Sequence, residues 1–253
     1  MATRWLFDRL FPNEPRQRIA FHQEIQARLP GAGRVLDLGC GKNVELESYR
    51  TEQLEVWGVD VRQHPDMRHE DWFRPLGASG AIPFPDQHFD LVAACWVLEH
   101  VADPQLFMAE VDRVLRQGGA LIALTISGSH YVTWITRGIG RLPDVVSRDL
   151  VKRLYDREPH DHFPIYYRMN TARRLAAAAT LTSLHVVRIK RFADQGYFRF
   201  SKLIRSIATV ADWCLEQLVP GCGRIYLTVV CEKDSSAVSS IAERAPGLSI
   251  PRP

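Results

Sequence analysis

The sequence predicts an α/β fold, a mainly parallel sheet with helices on both faces. Two observations carry this. Five apolar, strand-like runs alternate with helix-like or loop segments between residues 34 and 126, at the spacing of βαβ units. The chemically distinctive residues (Gly39–Gly41, Asp60, Asp71–Trp72, Cys95–Trp96, Ser127–Tyr131) fall at the predicted ends of those runs, where open α/β sheets hold their ligands. With 253 residues, 46% of them hydrophobic, the chain can bury a full core.

The elements follow in order. A helix is predicted from about Pro15 to Leu29, with Pro15 tolerated in its first turn. In "RVLDLGCGKN", Arg34 to Asn43, the residues Val35, Leu36 and Leu38 read as a buried strand that Gly39 and Gly41 interrupt. Glycine there lets the chain turn sharply and lets a ligand approach the main chain. The helix predicted to follow would aim free N–H groups at that ligand. Spacing separates three ligand classes. A dinucleotide fingerprint needs glycine where Val44 stands, and a phosphate-cradling loop needs glycine at Leu36 and a hydroxyl residue at Asn43. What remains is D-x-G-x-G, as in S-adenosylmethionine (SAM) sites, beside the plainer reading of a tight strand-to-helix turn.

"LEVWGVDV", Leu54 to Val61, is a second strand with Asp60 at its end, and "RHEDW", Arg68 to Trp72, a short third. The loop "RPLGASGAIPFPDQ" is too rich in Pro and Gly for regular structure. A fourth strand runs from Phe89 to about Trp96, a helix from about Pro104 to Leu115, and a fifth strand from Gly119 to Ile126. From Ser127 to Met169 the pattern lapses into some forty irregular residues dense in aromatics, His and Arg, and loops of that length are usually functional. "NTARRLAAAA" is a helix capped by Asn170 or Thr171, followed by strands at "HVVRIKRF" and at Arg224 to Lys233. The resulting organisation is a single domain over 1–233. It contains a lid insertion at 127–169 and an amphipathic helix insertion at 197–218, and a small, polar 234–253 tail is expected to be disordered.

Charge excludes a generic polyanion binder, because the net value is only +3. It is unevenly placed: residues 137–205 hold 15 Lys/Arg against 6 Asp/Glu. A solvated surface is the commonest reason for such a bias, with an anionic substrate or lipid head groups as the alternatives. The five cysteines (Cys40, Cys95, Cys214, Cys222, Cys231) form no C-x-x-C pair, so neither zinc nor a disulfide framework is suggested. No apolar run of membrane-spanning length and no signal-peptide pattern is present. The expectation is a soluble cytoplasmic protein.

Three stretches together, "VLDLGCGKN", "VWGVDV" and "PFPDQHFDLVAACWVLEHVADP…EVDRVLRQGGALIALT", resemble the class I SAM-dependent methyltransferases of the type 11 group. The resemblance covers roughly residues 30–126 and, more loosely, the last strands. It implies a Rossmann-like sheet of seven strands in the order 3-2-1-4-5-7-6, mostly parallel, with the last strand in sequence antiparallel. It implies SAM as cofactor, with Gly39 and Gly41 forming its loop and Asp60 holding the ribose. Asp60 lies 21 residues after Gly39 at a strand end, where a carboxylate can accept both ribose hydroxyls. The candidate cofactor set is Asp37, Gly39, Cys40, Gly41, Asp60, Val61, Asp71, Trp72 and Cys95. In many relatives the acidic residue lies closer to the "LPF" segment than Asp71 lies to Ile82, so a longer loop intervenes here. "WVLEHV" is similar to the "EVLEHV" of quinone-biosynthesis O-methyltransferases, in which Glu and His take part in a metal site. Trp96 replaces the first Glu, and a helix-start role is preferred for Glu99 and His100, with no metal site assigned.

A sulfonium methyl is already activated, so the protein mainly has to align nucleophile, carbon and sulfur. A hydroxyl acceptor would also need a general base. The candidates come from the irregular segment: His130, Asp161, His162 and Tyr166, with Asp161 and His162 forming the kind of pair that orients an imidazole. Two other classes compete: a non-catalytic binding protein that keeps the fold, and a nucleic-acid methyltransferase. The intact Asp37, Gly39, Gly41 and Asp60 set argues against the first, and the absence of an Asn/Asp-Pro-Pro-Tyr-type motif argues against the second. The expected partner is a small-molecule acceptor with an apolar part, not nucleic acid. At 100° per residue, Leu203, Ile204, Ile207, Val210, Cys214 and Leu218 share one face of the 197–218 helix. The simple expectation is that this face packs on the domain and leaves Trp213 exposed. The alternative is a peripheral membrane contact through Trp213, Arg199, Lys202 and Arg205.

Overall fold

The computed structural model describes residues 2–77, 79–139, 163–194, 198 and 201–235. Its helices are α1 (Ala2–Leu10), α2 (Gln17–Gln26), α3 (Pro104–Val114), α4 (Tyr131–Ile139), α5 (Ala172–Ala179) and α6 (Lys202–Leu218). The strands are β1 (Arg34–Leu38), β2 (Glu55–Asp60), β3 (Phe73–Pro75), β4 (Phe89–Cys95), β5 (Leu115–Ile126), β6 (Leu184–Phe192) and β7 (Tyr226–Lys233). They form one sheet in the order β3-β2-β1-β4-β5-β7-β6, with β7 antiparallel to both neighbours. The strand order expected from the resemblance is therefore the one observed.

The central strands are near-continuous apolar runs because helices cover both faces. Leu91, Val92, Ala93 and Ala94 of β4 are all buried, as are residues Gly119 to Thr125 of β5. Alternate side chains feed two cores. Leu36 and Leu38 join Val92, Ala94 and Met108 on one face, while Val35 joins Phe21, Ile25, Leu91 and Ala93 on the other. Local chemistry sets the helix starts. The Asp103 carboxylate accepts the Gln105 and Leu106 N–H groups ahead of Pro104, and Thr171 and Ser201 cap α5 and α6 in the same way. The buried Glu24 carboxylate of α2 ties that helix to β6 through Lys190 at 2.8 Å and Arg188 at 3.1 Å.

Where the sequence predicts a helix after the glycine turn, Glu47–Tyr49 form a 3-10 turn, and three further expectations are corrected. The third strand begins at Phe73, because His69 turns into the left-handed region (φ 54°) and Glu70–Trp72 form a 3-10 turn ahead of it. The segment after β5 is not wholly irregular, since residues 131–139 form α4. Its Tyr, Val, Thr, Trp and Ile residues are weak helix formers, which is why the sequence hides it. The third correction concerns α6: Thr209 and Asp212 are its buried residues, while Leu203, Ile204, Ile207, Val210 and Leu218 are exposed and Trp213 is half-buried. Both Arg199 and the 236–253 part of the tail lie outside the described residues.

Candidate functional site

The site is built at the carboxyl ends of β1, β2, β4 and β5. As β1 ends, the chain turns through Gly39 (φ +78°) and Gly41 (φ +51°). Gly39 is needed twice over, for its left-handed backbone and because a Cβ there would lie 2.3 Å from Val97 Cγ2. Gly41 differs: a Cβ would meet nothing within 4 Å, so the space over this turn is open. Asp60, the last residue of β2, holds the turn. Its Oδ2 accepts the Gly41 N–H at 2.9 Å and its Oδ1 the Val61 N–H at 2.7 Å. Val61 is an exposed apolar side chain beside that carboxylate.

Under the loop lies Asp37, buried, with Oδ2 lacking any hydrogen-bond partner. Burial, then the neighbouring Glu45 and Asp60 charges, push its carboxyl up to about 7. The same burial, with Asp37 and Asp60 nearby, raises the Cys40 thiol, and burial also raises the Cys95 thiol. Both cysteines therefore pack as small apolar groups rather than react. Sequence reasoning missed two supports of the loop. Asn43, buried at φ 58°, donates to the His69 carbonyl, and Arg50 donates to the Asn43 Oδ1 at 3.0 Å. The Arg50 guanidinium also lies 5.7 Å from the Trp72 ring. Arg50 sits in an irregular stretch where no spacing rule marks it.

Asp71 and Trp72 stand elsewhere than expected. Phe73 pairs with Gly58 and Pro75 with Asp60, so the turn holding Asp71 and Trp72 lies at the amino end of β3. Trp72 packs on Trp57 at 4.9 Å between ring centroids, while Asp71 is exposed. Level with Asp60 stands Pro75, the last residue of β3, and the N–H of Leu76 just after it donates to the Asp60 carbonyl.

After β4, Trp96 adopts φ +61°, rare for a bulky residue, with its ring edge-on to Tyr226 at 5.0 Å. Glu99 is buried and accepts the Thr125 hydroxyl at 2.7 Å, and the same hydroxyl oxygen accepts the Asn170 amide. His100 is bonded through Nδ1 to the Pro164 carbonyl oxygen at 2.8 Å. Residues 163–170 form a strap across these strand ends. Tyr166 and Tyr167 donate their N–H groups to the Glu99 carbonyl, and the Phe163 ring lies between His100 (5.8 Å) and the Arg62 guanidinium (4.7 Å). Arg62 follows β2 and His100 follows β4, so Phe163 crosses over the strand ends that flank the glycine turn. Tyr166 is exposed, with Arg168 over its ring at 5.3 Å.

His130 lies at the end of β5 and is buried. Its Nδ1 accepts the Val132 N–H at 3.4 Å, and its Nε2 lies 3.2 Å from Asp212 Oδ1 of α6. Burial first, then the Asp212 charge and hydrogen bond, raise the Tyr131 phenol above its usual range. In this arrangement both ring nitrogens of His130 face protein groups. Asp161 and His162 lie outside the described residues.

This donor set fits SAM. An orphaned buried carboxylate oxygen, an open glycine turn and a strand-end carboxylate match a cationic amino acid joined to a ribose. The fold is that of the class I SAM-dependent methyltransferases, and the site can hold their cofactor. Residues 36–123, about a third of the chain, match the family model described as "Methyltransferase domain". Among curated relatives, a ubiquinone biosynthesis O-methyltransferase of Maricaulis maris is 29% identical over 159 residues, covering 54% of this chain and 63% of that protein. A phosphatidylethanolamine N-methyltransferase of Cereibacter sphaeroides is 30% identical over 118 residues, covering 43% and 55%. The chain thus matches less than two thirds of the length of each of these relatives. Among solved structures, geranyl diphosphate C-methyltransferase of Streptomyces coelicolor, in complex with S-adenosyl-L-homocysteine, shares the fold. It gives a TM-score of 0.52 at 16% identity, covering 85% of this chain and 77% of that one.

Proposed function

We propose that the protein transfers the methyl group of SAM to an oxygen of a partly apolar small molecule. The carrying observation is the buried Asp37 with an unpartnered Oδ2 beneath the open Gly39–Gly41 turn and beside Asp60. SAM supplies an activated methyl. The protein's part is to hold the cofactor, through Asp37, Gly41, Asp60 and Val61, and to bring the acceptor into line with it.

The two named relatives are an O-methyltransferase of ubiquinone biosynthesis and an N-methyltransferase of phosphatidylethanolamine, and both names favour an acceptor with an apolar part. Oxygen is preferred here because the segment after β5 offers a His–Asp pair, Asp161 and His162, able to take a hydroxyl proton. His130 enters as a positioning residue, through Asp212 and α6. Tyr166 and the strap belong to the acceptor side, within the 127–169 lid. The expected peripheral membrane contact fits an acceptor that partitions into lipid.

Calorimetry with S-adenosylhomocysteine tests the cofactor half of this reading. Asp60→Ala should weaken binding roughly tenfold to a hundredfold, at ~1.4 kcal/mol per decade. Turnover of a panel of phenolic quinone precursors and water-soluble polar acceptors tests the rest. Absence of cofactor binding, or methylation of polar acceptors alone, overturns it.

A further inference from the structure

The helix α6 is packed inside out. Its outer face carries Leu203, Ile204, Ile207, Val210 and Leu218, with Ile207 60% and Leu218 78% exposed. Its inner face is polar. Asp212 lies against His130 and Tyr131, and Glu216 accepts the N–H groups of Gly221 and Gly223 and pairs with Arg224 at 3.0 Å. Rotating the helix to bury its apolar stripe would strand those groups, so the polar contacts fix the apolar face outward.

α1 packs against α6 and adds Trp5, 63% exposed, whose ring lies 5.5 Å from the Arg9 guanidinium. The outward charged groups of the two helices are Arg4, Arg9 and Lys202 against Asp8, three cations to one anion. Position matters as much as chemistry. α6 leaves from the carboxyl end of β6 and returns to Tyr226, which pairs with Ile126 and Phe192, the last residues of β5 and β6. The apolar face therefore belongs to the same carboxyl end of the sheet as the cofactor crevice.

We infer that the outer face of α6, with α1, docks on an anionic lipid bilayer and turns the crevice edge toward it. An apolar helix stripe bordered by Arg, Lys and Trp is the chemistry that lies in a head-group plane, with the apolar residues sunk toward the acyl chains. A second copy of the chain fits less well, because a two-fold contact here would bring the same net-cationic patch onto itself. The inference deepens the reading of a partly apolar acceptor, yet it is tested with no acceptor present.

The test is co-sedimentation of the whole protein with vesicles of phosphatidylcholine alone and of equal parts phosphatidylcholine and phosphatidylglycerol. The wild type should sediment with the anionic vesicles, poorly with the neutral ones, and less as salt rises. Leu203→Glu combined with Ile207→Glu should lower the bound fraction about tenfold or more, since charges replace the inserted stripe. Leu181→Glu, at an exposed apolar residue before the amino end of β6, should change nothing. Unchanged S-adenosylhomocysteine binding by the double variant shows that it is folded. Vesicle binding that ignores the double variant, or no vesicle binding at all, overturns the inference. So does a solution dimer that the double variant dissolves, which would make this face an interface between copies. Vesicle binding without S-adenosylhomocysteine binding would overturn the proposed function and leave the docking face standing.

Discussion

A carboxyl group buried at residue 37 with one oxygen unpartnered is costly to ionise in the folded protein, and the cofactor's positive amino group is what would offset that cost. Burial, with the Glu45 and Asp60 charges, pushes the folded group up to about 7, against 3.8 for a solvated aspartate. Because the folded value is the higher one, the folded state holds the proton where the unfolded state has lost it. Its contribution to stability is present in full below pH ~4 and is lost as pH rises through ~7. Asp37→Asn should therefore raise the thermal midpoint at pH 8 more than at pH 5, while weakening S-adenosylhomocysteine binding. An equal shift at both pH values would show that the carboxyl is ionised throughout. The two glycines should also separate. Gly41→Ala costs about 1–2 kcal/mol for its left-handed backbone and fills the ligand's space, so the protein should fold and lose the cofactor. Gly39→Ala adds the Val97 clash, about 1–3 kcal/mol more, and should show first as a folding defect in urea melts.

Among the elements, α6 shows where sequence reading stops. A helical wheel gives its period and its two faces, and both are observed, but the wheel carries no information on which face the rest of the domain meets. That was decided by His130 and Tyr131, some eighty residues earlier, which offer polar partners to Asp212. By contrast β1, β2, β4 and the buried part of β5 were legible, because a buried parallel strand must be apolar throughout and must stop at a turn signal. The glycine turn, Asp60 and the strand order followed from the same signals and the family resemblance. Asp71 and Trp72 were misplaced for a local reason: one left-handed residue, His69, moved the start of β3 past them. If Asp212 pins α6, Asp212→Ala should cost about 1–3 kcal/mol in urea unfolding, the usual cost of leaving buried partners unsatisfied. It should also speed hydrogen exchange across residues 202–218 ahead of the sheet, and exchange that changes uniformly over the chain would remove the pinning role.

In the molecule as a whole, the strap at 163–170 links parts of the site that the sheet alone keeps apart. It is fastened on the β4 side, where Tyr166 and Tyr167 donate to the Glu99 carbonyl, Arg168 to the Ala102 carbonyl and Arg174 to the Tyr167 carbonyl at 2.7 Å. On the other side the Phe163 ring lies under the Arg62 guanidinium of the segment after β2, at 4.7 Å. A cation over a partly exposed ring is worth about 0.5–1 kcal/mol, so this contact should release before the hydrogen bonds on the β4 side do. That asymmetry suits a hinged cover over a cofactor held by Asp60 at the end of β2. Phe163→Ala should then leave the fold intact and raise the S-adenosylhomocysteine dissociation rate several-fold, with a smaller change in association. In hydrogen exchange, saturating S-adenosylhomocysteine should protect residues 163–166 in the wild type and not in the variant. Equal protection in both proteins, with unchanged dissociation in stopped flow, would show that the strap is a fixed part of the domain and that cofactor exchange proceeds past it.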